Sequence, residues 1–217
     1  MDVIRWFPLH QYDRLQDALT VELSRPQRVR VRDAIGVALG LHGMRVGEVV
    51  RARRSELHVA GAVLHVPPFK RCRARRLRLH GSLVEAIRRH WSTRPAPSKY
   101  LLANCRGGPI RHQQYQRAAE RLFRQLLGDD HGLTFHSLRH TFAMRLYSET
   151  RDIRLVQRLL GHRCVASTEI YADSLSDLPD HLLLAVDSAP RAVTTAAAAS
   201  VPPPPGASPL RVVHWPE

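Results

Sequence analysis

The feature that most constrains the fold is a change of period along the chain. Up to about residue 53 the apolar side chains recur at helical spacing. Between 57 and 79 they run in short extended segments, and beyond 80 the helical spacing returns. The spacing predicts helices over 12–24, 29–41 and 46–53, with Pro26 restarting the chain and Gly43 ending the second helix. Leu57 to Ala60 and Ala62 to Val66, separated by Gly61, read as a β-hairpin, and Pro67-Pro68 closes its second strand. A third strand over 75–79 alternates Arg and Leu, which gives one apolar and one basic face. Further helices follow over 82–92, 111–127, 137–148, 152–160 and 164–172, with a turn at Gly107-Gly108-Pro109. The expected fold class is mainly α with a small three-stranded antiparallel β-sheet.

Past Tyr171 the pattern thins. Residues 177–187, with Leu178, Leu182, Leu183 and Val186, are expected to form one last short helix started by Pro179. Residues 188–217 are rich in Ala, Pro, Thr and Ser, including Pro202 to Pro205, and bury too little to offset their ordering entropy. A disordered tail is expected there. The body, 1–176, is expected to form one domain, and no internal repeat divides it.

Composition narrows the function. The chain of 217 residues carries 33 Lys+Arg against 19 Asp+Glu, a formal net charge of +14, which points to a polyanionic partner, most often nucleic acid. No apolar run is long enough to span a membrane, and the start lacks the layout of a signal peptide. The three cysteines, Cys72, Cys105 and Cys164, are scattered and form no Cys-x-x-Cys pair, so a disulfide framework or a zinc ribbon is not supported. A reducing cytoplasm is expected. Only Lys70 and Lys99 are lysine, in a chain that writes its other positive charges as Arg.

The densest run of polar groups lies between 134 and 172. It reads Thr134-Phe135-His136-Ser137-Leu138-Arg139-His140-Thr141-Phe142, then Leu159-Leu160-Gly161-His162, then Thr168-Glu169-Ile170-Tyr171. His136 and Arg139 are three apart on a predicted helix and share a face with His140. The spacing of His136 and His140 suits zinc, but Ser137 stands where a metalloprotease helix has Glu, and Arg139 between them repels a cation.

These residues resemble the second conserved box of the tyrosine recombinases, the phage-integrase family. Its pattern is His-x-x-Arg-His, then Leu-Gly-His about two dozen residues on, then Tyr nine residues after that His, and this chain shows each piece. Gly43-Met44-Arg45-Val46-Gly47-Glu48 resembles the family's first box, Gly-Leu-Arg-x-x-Glu. Between the boxes the family places a lysine on a hairpin, and aligning residues 75–79 with its strand puts Lys70 there. Arg71 departs from a frequent Gly. The resemblance covers about 8–175, the catalytic domain. The N-terminal DNA-clamping domain of larger members is not expected in this chain, which in that is similar to the short recombinases that switch fimbrial promoters.

The resemblance implies a role for each of the six matched residues. Tyr171 would attack the scissile phosphate, giving a 3′-phosphotyrosyl enzyme and a free 5′-hydroxyl. Arg45 and Arg139 would clamp the non-bridging oxygens, for which a planar, always charged guanidinium is suited. His136 and His162 would hydrogen-bond the phosphate and help move the tyrosine proton. Lys70 would protonate the leaving 5′-oxygen, which an amine near other cations does and a guanidinium does not. Each has a plainer reading taken singly: a packing tyrosine, backbone-binding arginines, capping histidines, a solvated basic loop. No metal and no ATP would be needed, because arginines stand where nucleases hold magnesium and the bond energy is kept in the phosphotyrosine.

The expected partner is double-stranded DNA, held at Arg51, Arg53, Arg54 and the run from Lys70 to Arg78, with the helix near Arg111 to Arg124 as a candidate groove reader. Family members form a tetramer on DNA by exchanging a C-terminal segment; residues 178–186 either do this or pack within their own chain. Two other functions stay open: a type IB topoisomerase-like nicking-closing enzyme, and a non-catalytic DNA-binding accessory protein of the same fold.

Overall fold

The computed structural model describes residues 9–24, 28–70, 72–93, 98–129, 133–162 and 168. Two helices, α1 (Leu9–Ser24) and α2 (Arg28–Leu41), open the body. Every residue of α2 from Asp33 to Gly40 is buried, the mark of a helix enclosed on all sides. Its neighbours are α1 and the later helices α4 (Gly81–Ser92), α5 (His112–Leu127) and α6 (Phe135–Thr150). Gly40 lets α6 lie close: a Cβ there would stand 2.6 Å from the Leu138 side chain and 2.8 Å from Phe135. This fit sets the depth at which α6 presents Arg139.

The short helix α3 (Val46–Val49) follows, and then the sheet: β1 (Leu57–His58), β2 (Val63–Val66) and β3 (Arg75–Arg78), antiparallel in the order β1-β2-β3. Leu64 pairs with Leu57 on one side and Leu77 on the other, and all three are buried. The helix expected over 46–53 is thus shorter. Residues 52–54 leave the helical path to bond with a neighbouring segment, where Leu101 N–H donates to Ala52 O at 2.7 Å and Arg54 N–H to Lys99 O at 3.0 Å. In the hairpin turn the left-handed residue is Ala62, with φ +51°, not Gly61.

On β3 the alternation holds with one addition. Arg76 and Arg78 face outward, while Arg75 shares the buried face with Leu77. Arg75 is therefore not part of the exposed basic run expected from Lys70 to Arg78. Helix α5 buries Tyr115, Ala118, Ala119, Leu122 and Phe123 and exposes Arg117, Arg121 and Arg124, the two faces that its spacing predicts. Helix α7 (Ile153–Leu160) starts under Asp152, whose Oδ1 accepts from the Arg154 and Leu155 N–H groups at 2.8 and 2.9 Å, and Gly161 ends it with φ +71°. The fold class is as the sequence indicates: seven described helices around one small antiparallel sheet. The expected segments 177–187 and 188–217 lie outside the described residues, as does the 164–172 helix apart from Thr168.

Candidate active site

Four pieces of chain meet at one end of the sheet. Gly43 turns the chain out of α2 with φ +82°, and Arg45 caps α3. The Arg45 backbone N–H donates to Glu48 Oε2 at 2.7 Å, the return half of a capping box. This bond fixes where the Arg45 side chain leaves the backbone. Its guanidinium touches the Cys72 sulfur, and Nη2 stands 3.5 Å from His162 Nε2.

Arg139 enters from α6. It is only 2% exposed, and its Nη1 and Nη2 donate to the Gly43 carbonyl at 2.6 Å and the Leu160 carbonyl at 2.8 Å. Leu160 ends α7 and Gly43 lies in the turn that follows α2, so one arginine satisfies backbone carbonyls at two places where the chain leaves a helix. The Cys72 sulfur lies 3.8 Å from Arg139 Nη2, and its thiol also faces the Leu160 carbonyl at 3.7 Å.

Glu48 and Arg75 form the floor. Arg75 donates Nη1 and Nη2 to the two Glu48 oxygens at 2.7 and 2.8 Å, and Nη2 reaches Gly43 O at 3.4 Å. Burial pushes the Glu48 carboxyl up, but the Arg75 hydrogen bonds and charge, the Arg45 N–H and the Arg139 charge together hold it below its ordinary value. Arg139 Nη1 is 3.9 Å from Glu48.

His162 follows Gly161 and is buried. Its Nδ1 lies 2.9 Å from the hydroxyl of buried Thr168. With Arg45, a permanent donor, on the Nε2 side, the neutral tautomer with its proton on Nδ1 suits both neighbours. Burial, then the charges of Arg139, Arg45 and Arg75, lowers His162 to about 3. His136 stands exposed in the first turn of α6, its ring edge-on to His140 at 4.5 Å between centroids. Partial shielding of its ring, then the charges of Arg139 and Arg45, lowers its pKa too. Burial, His136 and the same two arginines lower His140 to about 4.

Lys70 sits at the exposed tip of the β2–β3 loop with φ +51°, and its Nζ is 5.6 Å from the Phe69 ring. Its loop is anchored in the site two residues later, where Cys72 forms an antiparallel bridge with His162 and the Arg73 N–H donates to Gly161 O at 2.8 Å. Of the six residues that the sequence singles out, Arg45, Arg139 and His162 converge directly. His136 lies at the rim, Lys70 is carried on an attached loop, and Tyr171 lies outside the described residues.

From the sequence, Arg75 is expected only as part of the phosphate-binding run from Lys70 to Arg78, and Cys72 and Thr168 stand out in no site role. For Arg75 a signal was present: it has the same parity as Leu77 on β3 and Leu79 just beyond it, so the alternation that turns the leucines inward turns Arg75 inward too. Cys72 and Thr168 are brought in by long-range contacts that no local pattern marks.

The arrangement is unbalanced in charge. Three guanidinium groups, those of Arg45, Arg75 and Arg139, gather at a site with one carboxylate, Glu48, which Arg75 already engages in a fork and Arg139 approaches at 3.9 Å. Burial and the neighbouring arginine charges lower even Arg139, to about 10. Uncompensated buried cations are costly, so such a centre calls for an anionic ligand. Among the described residues no group of three His, Cys, Asp or Glu could hold a metal ion, and no helix is long and apolar enough to cross a membrane.

A helical body with this sheet and this arginine–histidine centre is the fold of the tyrosine recombinases. XerA recombinase superposes with a TM-score of 0.68 at 24% identity, covering 85% of this chain and 62% of that one. XerH site-specific recombinase bound to palindromic difH substrate gives 0.67 at 18% identity, covering 80% of this chain and 50% of that one. The chain belongs to the phage integrase family, whose sequence profile matches residues 5–177. It is 34% identical over 153 residues to tyrosine recombinase XerC of Methylobacterium sp. (strain 4-46), covering 68% of this chain and 47% of that protein. It is 32% identical over 188 residues to XerC of Neisseria gonorrhoeae, covering 85% and 59%. The chain thus spans about half the length of the curated relatives that it matches.

Proposed function

We propose that this chain is a site-specific DNA strand transferase that cuts and rejoins DNA through a 3′-phosphotyrosyl intermediate. The observation that carries the reading is the convergence of Arg45 and Arg139 beside neutral His162, a positive centre with no carboxylate to spare. A phosphodiester supplies the missing negative charge, and the charge grows on its oxygens in the transition state. Preorganised donors act there without reorganisation.

The roles follow. The Tyr171 oxygen forms a bond to phosphorus as the bond from phosphorus to the 5′-oxygen breaks. The phenol proton passes to His136 or His162, both held uncharged by their surroundings and so able to accept it. Lys70 gives its proton to the departing 5′-oxygen. In the return step a 5′-hydroxyl attacks the phosphotyrosine and the tyrosine is released. If the hydroxyl belongs to a second duplex, strands are exchanged. The chemistry proceeds with neither metal nor ATP. The partner is double-stranded DNA, and exchange between two duplexes requires several copies of the chain, a tetramer at a complete crossover. The body over 1–176 is the catalytic domain in this reading, and 177–187 is the segment offered to a neighbouring copy.

The test is product analysis. Two labelled duplexes carrying one shared site, incubated with the full chain, are expected to yield joined products of predictable length. Relaxation of supercoiled plasmid with no joined products favours a type IB topoisomerase-like enzyme. Binding with neither product favours a DNA-binding accessory protein.

A further inference from the structure

The loop that carries Lys70 is tied down on both sides of that lysine, and the tie in front of it is an aromatic ring. Phe69 lies against α3, the helix that Arg45 caps. The Arg51 guanidinium sits 4.8 Å from the centre of the Phe69 ring. A Cβ at Gly47 would come within 2.8 Å of the same ring, so Gly47 leaves the space that the ring fills. Behind Lys70 the Cys72 N–H donates to Phe69 O at 2.9 Å and closes the turn, and the Arg73 N–H then donates to Gly161 O in the bridge that pairs Cys72 with His162.

Lys70 itself holds a left-handed backbone, φ +51°, which a residue with a Cβ keeps only when its surroundings impose it. The bridge that pairs Cys72 with His162, with its Arg73 N–H to Gly161 O bond, is made by backbone and is open to any side chain. The Phe69 ring, by contrast, depends on its own shape and on the gap at Gly47.

We infer that Phe69 is a positioning residue for Lys70: its ring, seated on Gly47 beneath Arg51, fixes the loop so that the ammonium is in place when the 5′-oxygen departs. The inference rests on the reading of Lys70 as proton donor. It predicts a defect of one kind. Losing the ring impairs proton delivery and leaves the phosphate clamp of Arg45 and Arg139 intact.

Sulfur in place of the bridging 5′-oxygen separates these effects. The bond from phosphorus to sulfur breaks with the electron pair leaving on sulfur, and a thiolate needs no proton. The experiment uses the full chain and the duplex that it traps covalently from fragmented genomic DNA, resynthesised with oxygen or sulfur at the scissile bridge. Phe69→Ala is expected to slow adduct formation on oxygen DNA about tenfold or more, towards the range that a general acid supplies, and to come within about threefold of the parent on sulfur DNA. Phe69→Tyr keeps the ring and restores the oxygen rate. Gly47→Ala displaces the ring, shows the same pattern, and adds nothing to Phe69→Ala.

Equal slowing on both DNAs makes Phe69 a general structural residue and overturns the inference. Lys70→Ala is the reference. If sulfur does not restore that variant, the donor reading of Lys70 falls and this inference falls with it. If sulfur restores Lys70→Ala but not Phe69→Ala, only the inference falls. No adduct from the parent overturns the proposed function itself. Amide exchange reads the loop without DNA: protection of the Cys72 and Arg73 N–H groups drops in Phe69→Ala while that of α2 stays, and unchanged protection contradicts the role given to the ring.

Discussion

Arg75 and Glu48 meet through two parallel hydrogen bonds of 2.7 and 2.8 Å, with side-chain exposures of 4% and 1%. The pair joins strand β3 to helix α3. It thereby joins the hairpin that carries Lys70 to the segment that presents Arg45. Removing one partner strands the other as a buried charge. Arg75→Met alone, or Glu48→Gln alone, is expected to cost about 3–5 kcal/mol of folding stability, and the double variant less than the sum. Urea unfolding of the parent and the three variants measures this. Additive losses contradict the pairing.

The two site arginines should fail differently. The Arg139 guanidinium satisfies the carbonyls of Gly43 and Leu160 in a buried setting, and in the proposed mechanism it also clamps the phosphate. Arg139→Ala is expected to cost about 1–3 kcal/mol for each carbonyl left without its donor. Arg45 is half-buried, and Glu48 bonds its backbone N–H rather than its side chain. Arg45→Ala should therefore keep the parent melting temperature within a few degrees while cleavage falls about 10²- to 10³-fold. Thermal melts beside single-turnover cleavage make the comparison. Parallel collapse of both properties in Arg45→Ala would refute the division of labour.

Acid should weaken the fold before ordinary carboxylates titrate. Burial and then the arginine charges lower His162 to about 3, whereas an unfolded histidine titrates near its ordinary 6.5. Between these values the unfolded chain binds a proton that the folded chain refuses. Stability therefore falls as pH drops through 6.5 and continues to fall towards 3, by up to about 1.4 kcal/mol per pH unit from this residue. His140, lowered by burial, His136 and the arginines to about 4, acts in the same direction. The urea midpoint should be lower at pH 5 than at pH 7, and His162→Gln should flatten the dependence. An unchanged slope in that variant would remove His162 from the account.

Gly161 joins α7 to the Lys70 hairpin. It is left-handed at φ +71°, and a Cβ would come within 2.9 Å of the Arg73 carbonyl oxygen, a backbone atom that cannot swing away. Gly161→Ala is expected to cost about 1–3 kcal/mol. It should also raise amide exchange at Arg73, whose N–H donates to Gly161 O. Asn tolerates the left-handed backbone, but its Cβ meets the same oxygen, so Gly161→Asn should recover only part of the loss. Full recovery would place the whole cost in the dihedral angle.

Much of this was legible in the sequence. The helical period located α1, α2 and α4 to α7 to within two residues or so at most of their ends, because each buries one face or all of its surface. Arg45, Arg139 and His162 were legible as a set through the resemblance of their motifs to the boxes of the phage-integrase family, and the structure brings the three together. The end of α3 was not, because backbone pairing between 52–54 and 99–101 overrides local propensity there. Cys72, touching both Arg45 and Arg139, was not legible either, since its place depends on a bridge across 90 residues to His162. Phe69 carried no motif, and its seat depends on a gap at Gly47.

The central claim is that Tyr171 becomes joined to DNA. Covalent trapping tests it most directly: the full chain and its Tyr171→Phe variant are incubated with supercoiled plasmid carrying the native flanks of the gene, then denatured and run on gels. The account predicts protein-linked DNA from the parent and none from Tyr171→Phe, with equal binding by both in a mobility-shift assay. Protein-linked DNA from the Tyr171→Phe variant, or none from either protein across a pool of genomic fragments that both bind, would contradict it.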